Sequence, residues 1–157
     1  MKVRTQHNMT ADPNIVEMTL ESDLKSVEIA EEIAHKVCEA AGLDDEDQHK
    51  VEMAVHESMI NAVCHGNKYD AAKRVWFRVQ FFPDRLEIRI RDQGEGFDPG
   101  SLPDPLESEN LLRISGRGIF LIRAFMDEFR VQKLPGIGTE VTLIKRIVSN
   151  SKLNQGG

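Results

Sequence analysis

Residues 73–92, KRVWFRVQFFPDRLEIRIRD, decide the fold class. Apolar and polar residues alternate through 74–82 and again through 85–91, and Pro83-Asp84 between them is a tight turn, so the segment predicts an antiparallel β-hairpin. Immediately after it comes RDQGEGFDPG (91–100), with carboxylates and glycines crowded behind the second strand. Working outward, NIVEMTLES (14–22) alternates as one short strand behind Pro13. In SDLKSVEIAEEIAHKVCEAAG (22–42), Leu24, Val27, Ala30, Ile33, Ala34, Val37 and Ala41 recur at helical spacing, with Ser22 as candidate cap and Gly42 as stop. A second helix is predicted over DDEDQHKVEMAVHESMINAVCHG (44–66), with acids in its first turn and Gly66 at its end. The segment 97–115 carries three prolines and no sustained periodicity, the mark of a functional loop. GRGIFLIRAFMDEF (116–129) reads as a short apolar helix, and EFRVQKL, PGIG and TEVTLIKRIV as a closing hairpin. Segregated helices over sequential antiparallel strands predict an α+β two-layer sandwich, a mostly antiparallel sheet with helices on one face.

Composition sets the function classes. At 157 residues the chain fits a single domain, with a polar leader at 1–13 and a frayed tail at 149–157. A net charge of −6, from 26 acids against 20 bases, argues against a broad phosphate-backbone surface and so against direct nucleic-acid binding. The N-terminus lacks an apolar signal region and no window is long and apolar enough to span a membrane, which makes the cytoplasm the expected location. Cys38 and Cys64 form neither a CxxC pair nor a metal-ligand spacing, and are read as reduced core residues.

Several motif readings fail on spacing. HESMI (56–60) lacks the second histidine of a zinc-protease helix, and Pro99 stands where a third dinucleotide-loop glycine would fall. No GxxxxGK[ST] loop occurs, and a calcium loop starting at Asp92 would need oxygen ligands where Gly94 and Gly96 stand. Other features survive, each with a plain structural alternative. Glu57, Asn61 and His65 lie at successive i, i+4 positions of the second helix: either a solvated edge, or a base and a hard oxygen ligand for a phosphate-borne divalent ion. Asp92 with Gly94 and Gly96 is either a turn after a strand or an acceptor beside open backbone, suited to the exocyclic amine of adenine. Gly116, Arg117 and Gly118, with Arg113 nearby, open a helix where phosphate is favoured, and Thr139 follows a glycine hinge where its hydroxyl either serves the turn or meets a base edge.

In this order, ESMINAVCHGN, RDQGEGFDP, SGRGIFLIRAFMDE and GTEV resemble the N, G1, G2 and G3 boxes of the GHKL ATPases, in particular the bacterial anti-sigma-factor serine-protein kinases, over residues 15–146. The resemblance implies the Bergerat fold, ATP bound with Mg²⁺ under a mobile lid at 97–115, sequestration of a sigma factor, and phosphorylation of a serine or threonine on a small anti-sigma-factor antagonist. It also implies a homodimer. By position it makes Glu57 the general base, Asn61 the Mg²⁺ ligand, Asp92 the adenine-reading acid with Gly94 and Gly96 beside it, Gly116, Arg117 and Gly118 the lid hinge, and Thr139 a neighbour of adenine; His65 joins the ATP pocket. The region before the first box reads as too short for the phosphoacceptor hairpin of sensor histidine kinases, and the histidines, His56 and His65 among them, are read as structural or pocket-lining. The alternative function is a nucleotide-gated binding module without phosphotransfer.

Overall fold

The computed structural model describes residues 14–95 and 118–148. They form β1 (Ile15–Glu21), α1 (Leu24–Ala40), α2 (Asp45–Ile60), a π-helical segment (Asn61–Gly66), β2 (Arg74–Phe82), β3 (Arg85–Arg91), α3 (Gly118–Phe125), β4 (Glu128–Leu134) and β5 (Gly138–Arg146). The five strands make one sheet in the order β1-β2-β3-β5-β4, with every neighbouring pair antiparallel, as the α+β reading expects.

Strand alternation explains how the layers meet. The pairing register aligns Met18, Phe77, Ile90, Val141 and Val131 in one row across the sheet, and Val16, Val79, Ile88, Leu143 and Phe129 in the next. These rows face the helices, where Val27, Ala30 and Ala34 of α1 and Val51, Val55 and Met59 of α2 complete the core. The small alanines let the helices settle close to the sheet. On the other face charged side chains alternate, and Arg91 donates to the Glu140 carboxylate at 3.1 and 2.8 Å while lying 4.6 Å over the Trp76 ring. That shielding lets Glu140 be buried with its charge paired.

Helix ends follow capping chemistry with one correction. The α1 cap is Asp23, whose carboxylate accepts from Ser26 N at 3.1 Å, and not Ser22. Ser22 is withdrawn because its buried hydroxyl donates to Lys73 O at 2.7 Å and accepts from Asn67 at 2.8 Å. Gly42, at φ 77°, ends α1 as expected. Asp44 caps α2, and Asp45, Glu46 and Asp47 occupy its first turn. Between the helices His56 pairs with Glu31 and His35 with Glu52, and within α1 His35 also meets Glu39. Cys38 is a free core thiol pushed up to about 12, first by burial and then by Glu52 and Asp47. Cys64 is also free but only half-buried, and donates to the Tyr69 hydroxyl at 2.8 Å.

The second correction lies at the end of α2. The apolar pattern predicts one helix through Gly66, but the α-helix stops at Ile60 and the backbone continues with π-type turns. Beyond it Asn67 N donates to Ala62 O at 2.8 Å, and Lys68 and Tyr69 take positive φ of 52° and 57°. Asn67 holds this exit in place. Its amide donates to Ser22 Oγ at 2.8 Å and Arg74 O at 3.0 Å and accepts from Gln93 N at 2.7 Å, joining the ends of β1 and α2 to the start of β2 and the segment after β3. Asn67→Ala strands a buried carbonyl and amide, and should lower unfolding free energy by about 3 kcal/mol. In urea titrations the midpoint should fall at unchanged m-value.

Candidate nucleotide site

Asp92 sits one residue beyond β3, where the ladder to β5 makes its last exchange. Its N–H donates to Thr139 O at 2.9 Å, and its Oδ1 accepts from Gly94 N at 3.0 Å and Thr139 N at 3.2 Å. The side chain is thereby fixed with only 7% of the residue exposed. Burial pushes its carboxyl above the ordinary range, against the opposing pull of the two amide donors and of Lys73. Three backbones crowd this carboxylate at positions where only glycine fits: a Cβ on Gly66 would strike the carboxylate, one on Gly94 the Gly66 carbonyl, and one on Gly138 the Asp92 carbonyl. Gly94 therefore has a packing task nearer than admitting a ring, because it lets the end of the π-helical segment meet the strand end.

A cavity of about 340 Å³ opens in front of Asp92. The helical layer contributes Ser58, Asn61 and His65, α3 contributes Ile119, and the sheet contributes Ile90, Thr139 and Val141. An apolar wall with a few fixed polar groups suits a flat heterocycle. Three polar atoms at this cavity, Ser58 Oγ, Asn61 Oδ1 and Thr139 Oγ1, are buried without a hydrogen-bond partner among the described residues. Unmet buried acceptors and hydroxyls of this kind are what a polar ligand satisfies. Asn61 Oδ1 is a hard oxygen and fits a Mg²⁺ ion carried by phosphates, which takes few protein ligands. Thr139 Oγ1 fits a second contact to a base whose amine meets Asp92.

The structure thus brings Asn61, His65, Asp92 and Thr139 to one cavity. Glu57 is half-buried and lies off the cavity wall; its carboxylate rests against Gly118, the first residue of α3, at the place a Cβ there would occupy. Gly96, Gly116, Arg117, Arg113 and the segment 97–115 lie outside the described residues. Sequence reasoning missed Ser58, Gly66, Lys68 and Lys73 on the cavity wall and Asn67 behind it. Gly66 was legible only as a helix stop, since its contact with Asp92 spans the chain between two elements.

Comparisons with known proteins agree with this geometry. Residues 20–145 match the histidine kinase-like ATPase domain family. The serine-protein kinase RsbW of Staphylococcus epidermidis is 32% identical over 155 residues, covering 94% of this chain and 96% of the relative. RsbW of Bacillus subtilis strain 168 is 29% identical over 140 residues, covering 85% and 88%. In structure, the chain aligns with the RsbU and RsbW domains of a Mycobacterium tuberculosis protein at a TM-score of 0.59 and 18% identity, over 87% of this chain and 33% of that longer one, a likeness of fold. With a family match across most of its length and a relative matched almost end to end, the chain belongs to the histidine kinase-like ATPase domain family, among relatives of the RsbW serine-protein kinases.

Proposed function

We propose that this protein is an ATP-dependent serine/threonine-protein kinase and anti-sigma factor, which phosphorylates a serine on a small anti-sigma-factor antagonist and sequesters a sigma factor. The observation that supports it most is the convergence of a buried acceptor, Asp92, with the unpaired Asn61 Oδ1 and Thr139 Oγ1 on one cavity in a chain of this family. In this reading the chain acts in the cytoplasm as one ATP-binding domain, and as a homodimer in keeping with the resemblance of its boxes.

In this reading Asp92 accepts from the exocyclic amine of adenine, Thr139 Oγ1 meets the same ring, and His65 lines the pocket beside it. Asn61 Oδ1 would hold Mg²⁺, which neutralises charge on the phosphates when bound. By the resemblance of the boxes, Gly96 joins Gly94 beside the adenine-reading Asp92, and Gly116, Arg117 and Gly118 serve as the phosphate-side hinge of the lid at 97–115. Glu57 accepts the proton of the substrate serine as its oxygen bonds to the γ-phosphorus and the bond to the β-phosphate oxygen breaks. The Glu57 carboxylate lies beside Gly118, the first residue of α3, which supports a role next to the lid hinge.

Two measurements test this. With labelled ATP and a candidate antagonist, Glu57→Gln should bind ATP within about twofold of wild type but form phosphoserine about 10² to 10⁴ times more slowly. Nucleotide-dependent partner binding with no phosphoserine from the wild type would leave only a binding module. Saturating ATP, at about 100 times Kd, should stabilise the wild type by about 2.7 kcal/mol, and Asp92→Asn should abolish that gain. The same variant has a pH signature without nucleotide. Because the native carboxyl titrates above its unfolded value, Asp92's contribution to stability is fully present below the unfolded value and lost as pH rises through the native one. Asp92→Asn, whose amide oxygen can accept the same two N–H groups, should therefore gain on wild type towards neutral pH, and the gain should fade on acidification.

A further inference from the structure

Two cations line the cavity among the described residues, Lys68 and Lys73. Lys68 is exposed and stands on the left-handed pair that leaves the π-helical segment. Lys73 is half-buried and more firmly placed. Its N–H donates to Asp70 O at 3.0 Å, and its carbonyl accepts from Ser22 Oγ at 2.7 Å, the hydroxyl that Asn67 also holds. The β2–β3 register pairs Trp76 with Arg91, so one step further sets Val75 beside Asp92. Lys73 lies two residues before Val75, immediately ahead of β2, and lines the cavity together with Asp92. The pull of its charge on the Asp92 carboxyl reflects that proximity.

An acceptor carboxylate and a donor ammonium on the wall of one cavity form a pattern. On its pairing edge adenine presents an amine donor beside the N1 acceptor, whereas guanine presents a carbonyl acceptor beside an N1–H donor. We propose that Lys73 is a second base-reading residue, donating to adenine N1 while Asp92 accepts from the amine. The inference rests on ATP as the occupant of the cavity. A base offering the reverse order would set its carbonyl against the carboxylate and its N1–H against the ammonium, so the pair rejects guanine at two atoms at once.

The test is equilibrium binding by the full chain of ATP, of 1-deaza-ATP, which lacks the N1 acceptor, and of adenosine, which lacks phosphates. Wild type should bind ATP about tenfold more tightly than 1-deaza-ATP. Lys73→Met should lose about tenfold for ATP and for adenosine while binding 1-deaza-ATP as wild type does. Lys73→Arg, which keeps a charged donor, should retain part of the discrimination, and Lys68→Met should leave the ATP to 1-deaza-ATP ratio unchanged. If Lys73→Met weakens ATP and 1-deaza-ATP equally, the lysine supplies charge and not base reading. Weakened ATP with unaffected adenosine would make it a phosphate contact, and unchanged affinities for all three would remove it from the site; each result overturns the inference while ATP binding stands. Absence of ATP binding by the wild type would instead overturn the nucleotide reading on which the inference rests.

Discussion

The site depends on one carboxylate that the fold keeps in a place unfavourable to it. Asp92 is buried, and the hydrogen bonds from Gly94 and Thr139 offset only part of the desolvation. Three separate segments approach it at glycine: the end of the π-helical segment, the residues after β3 and the start of β5. A larger residue at Gly66, Gly94 or Gly138 would push apart the very elements that carry Asn61, Asp92 and Thr139. Packing and recognition are therefore the same constraint at this point, because the contacts that close the core also set the spacing of the polar groups.

Much of the architecture is legible in the chain itself. Alternation is strict in 85–91 and interrupted in 74–82 only by the outward Trp76 and the terminal Phe82, and the two-residue turn leaves a single register, so the central hairpin followed directly from period and turn chemistry. The acids at the start of α2 and Gly42 after α1 act as local signals act, through the nearest backbone. Asp92, Asn61, His65 and Thr139 reached one cavity because the elements bearing them were identified and joined in the right order.

What escaped the sequence was decided at long range. Ser22 has cap chemistry as good as that of Asp23, but Lys73, 51 residues away, takes its hydroxyl. The amide of Asn67 looks like an ordinary residue after a helix stop, yet it is wholly buried and bonds to Arg74 and Gln93 as well as to Ser22. Asn61 N still bonds to Glu57 O as in an α-helix, but the change of helical type begins at Asn61 itself, so a projection that assumes an unbroken α-helix misplaces His65 and the residues after it. No periodicity argument sees such a change, since the apolar pattern continues through it.

That change of type has a consequence for how the chain tolerates alteration of length. An α-helix advances about 100° with each residue, and a π-type turn accommodates one residue more than the α-helical repeat. Shortening 61–66 by a single residue would let the segment relax into a plain α-helix, with every apolar contact on α2 preserved. Everything downstream would then swing out of phase, and the buried amide of Asn67 would no longer face Ser22, Arg74 and Gln93. The helix would survive as a piece of structure while the lock between helical layer and sheet was lost, so the surplus residue is a phase adjuster for the cavity and for Ala62 and Val63, the core residues that the segment itself carries.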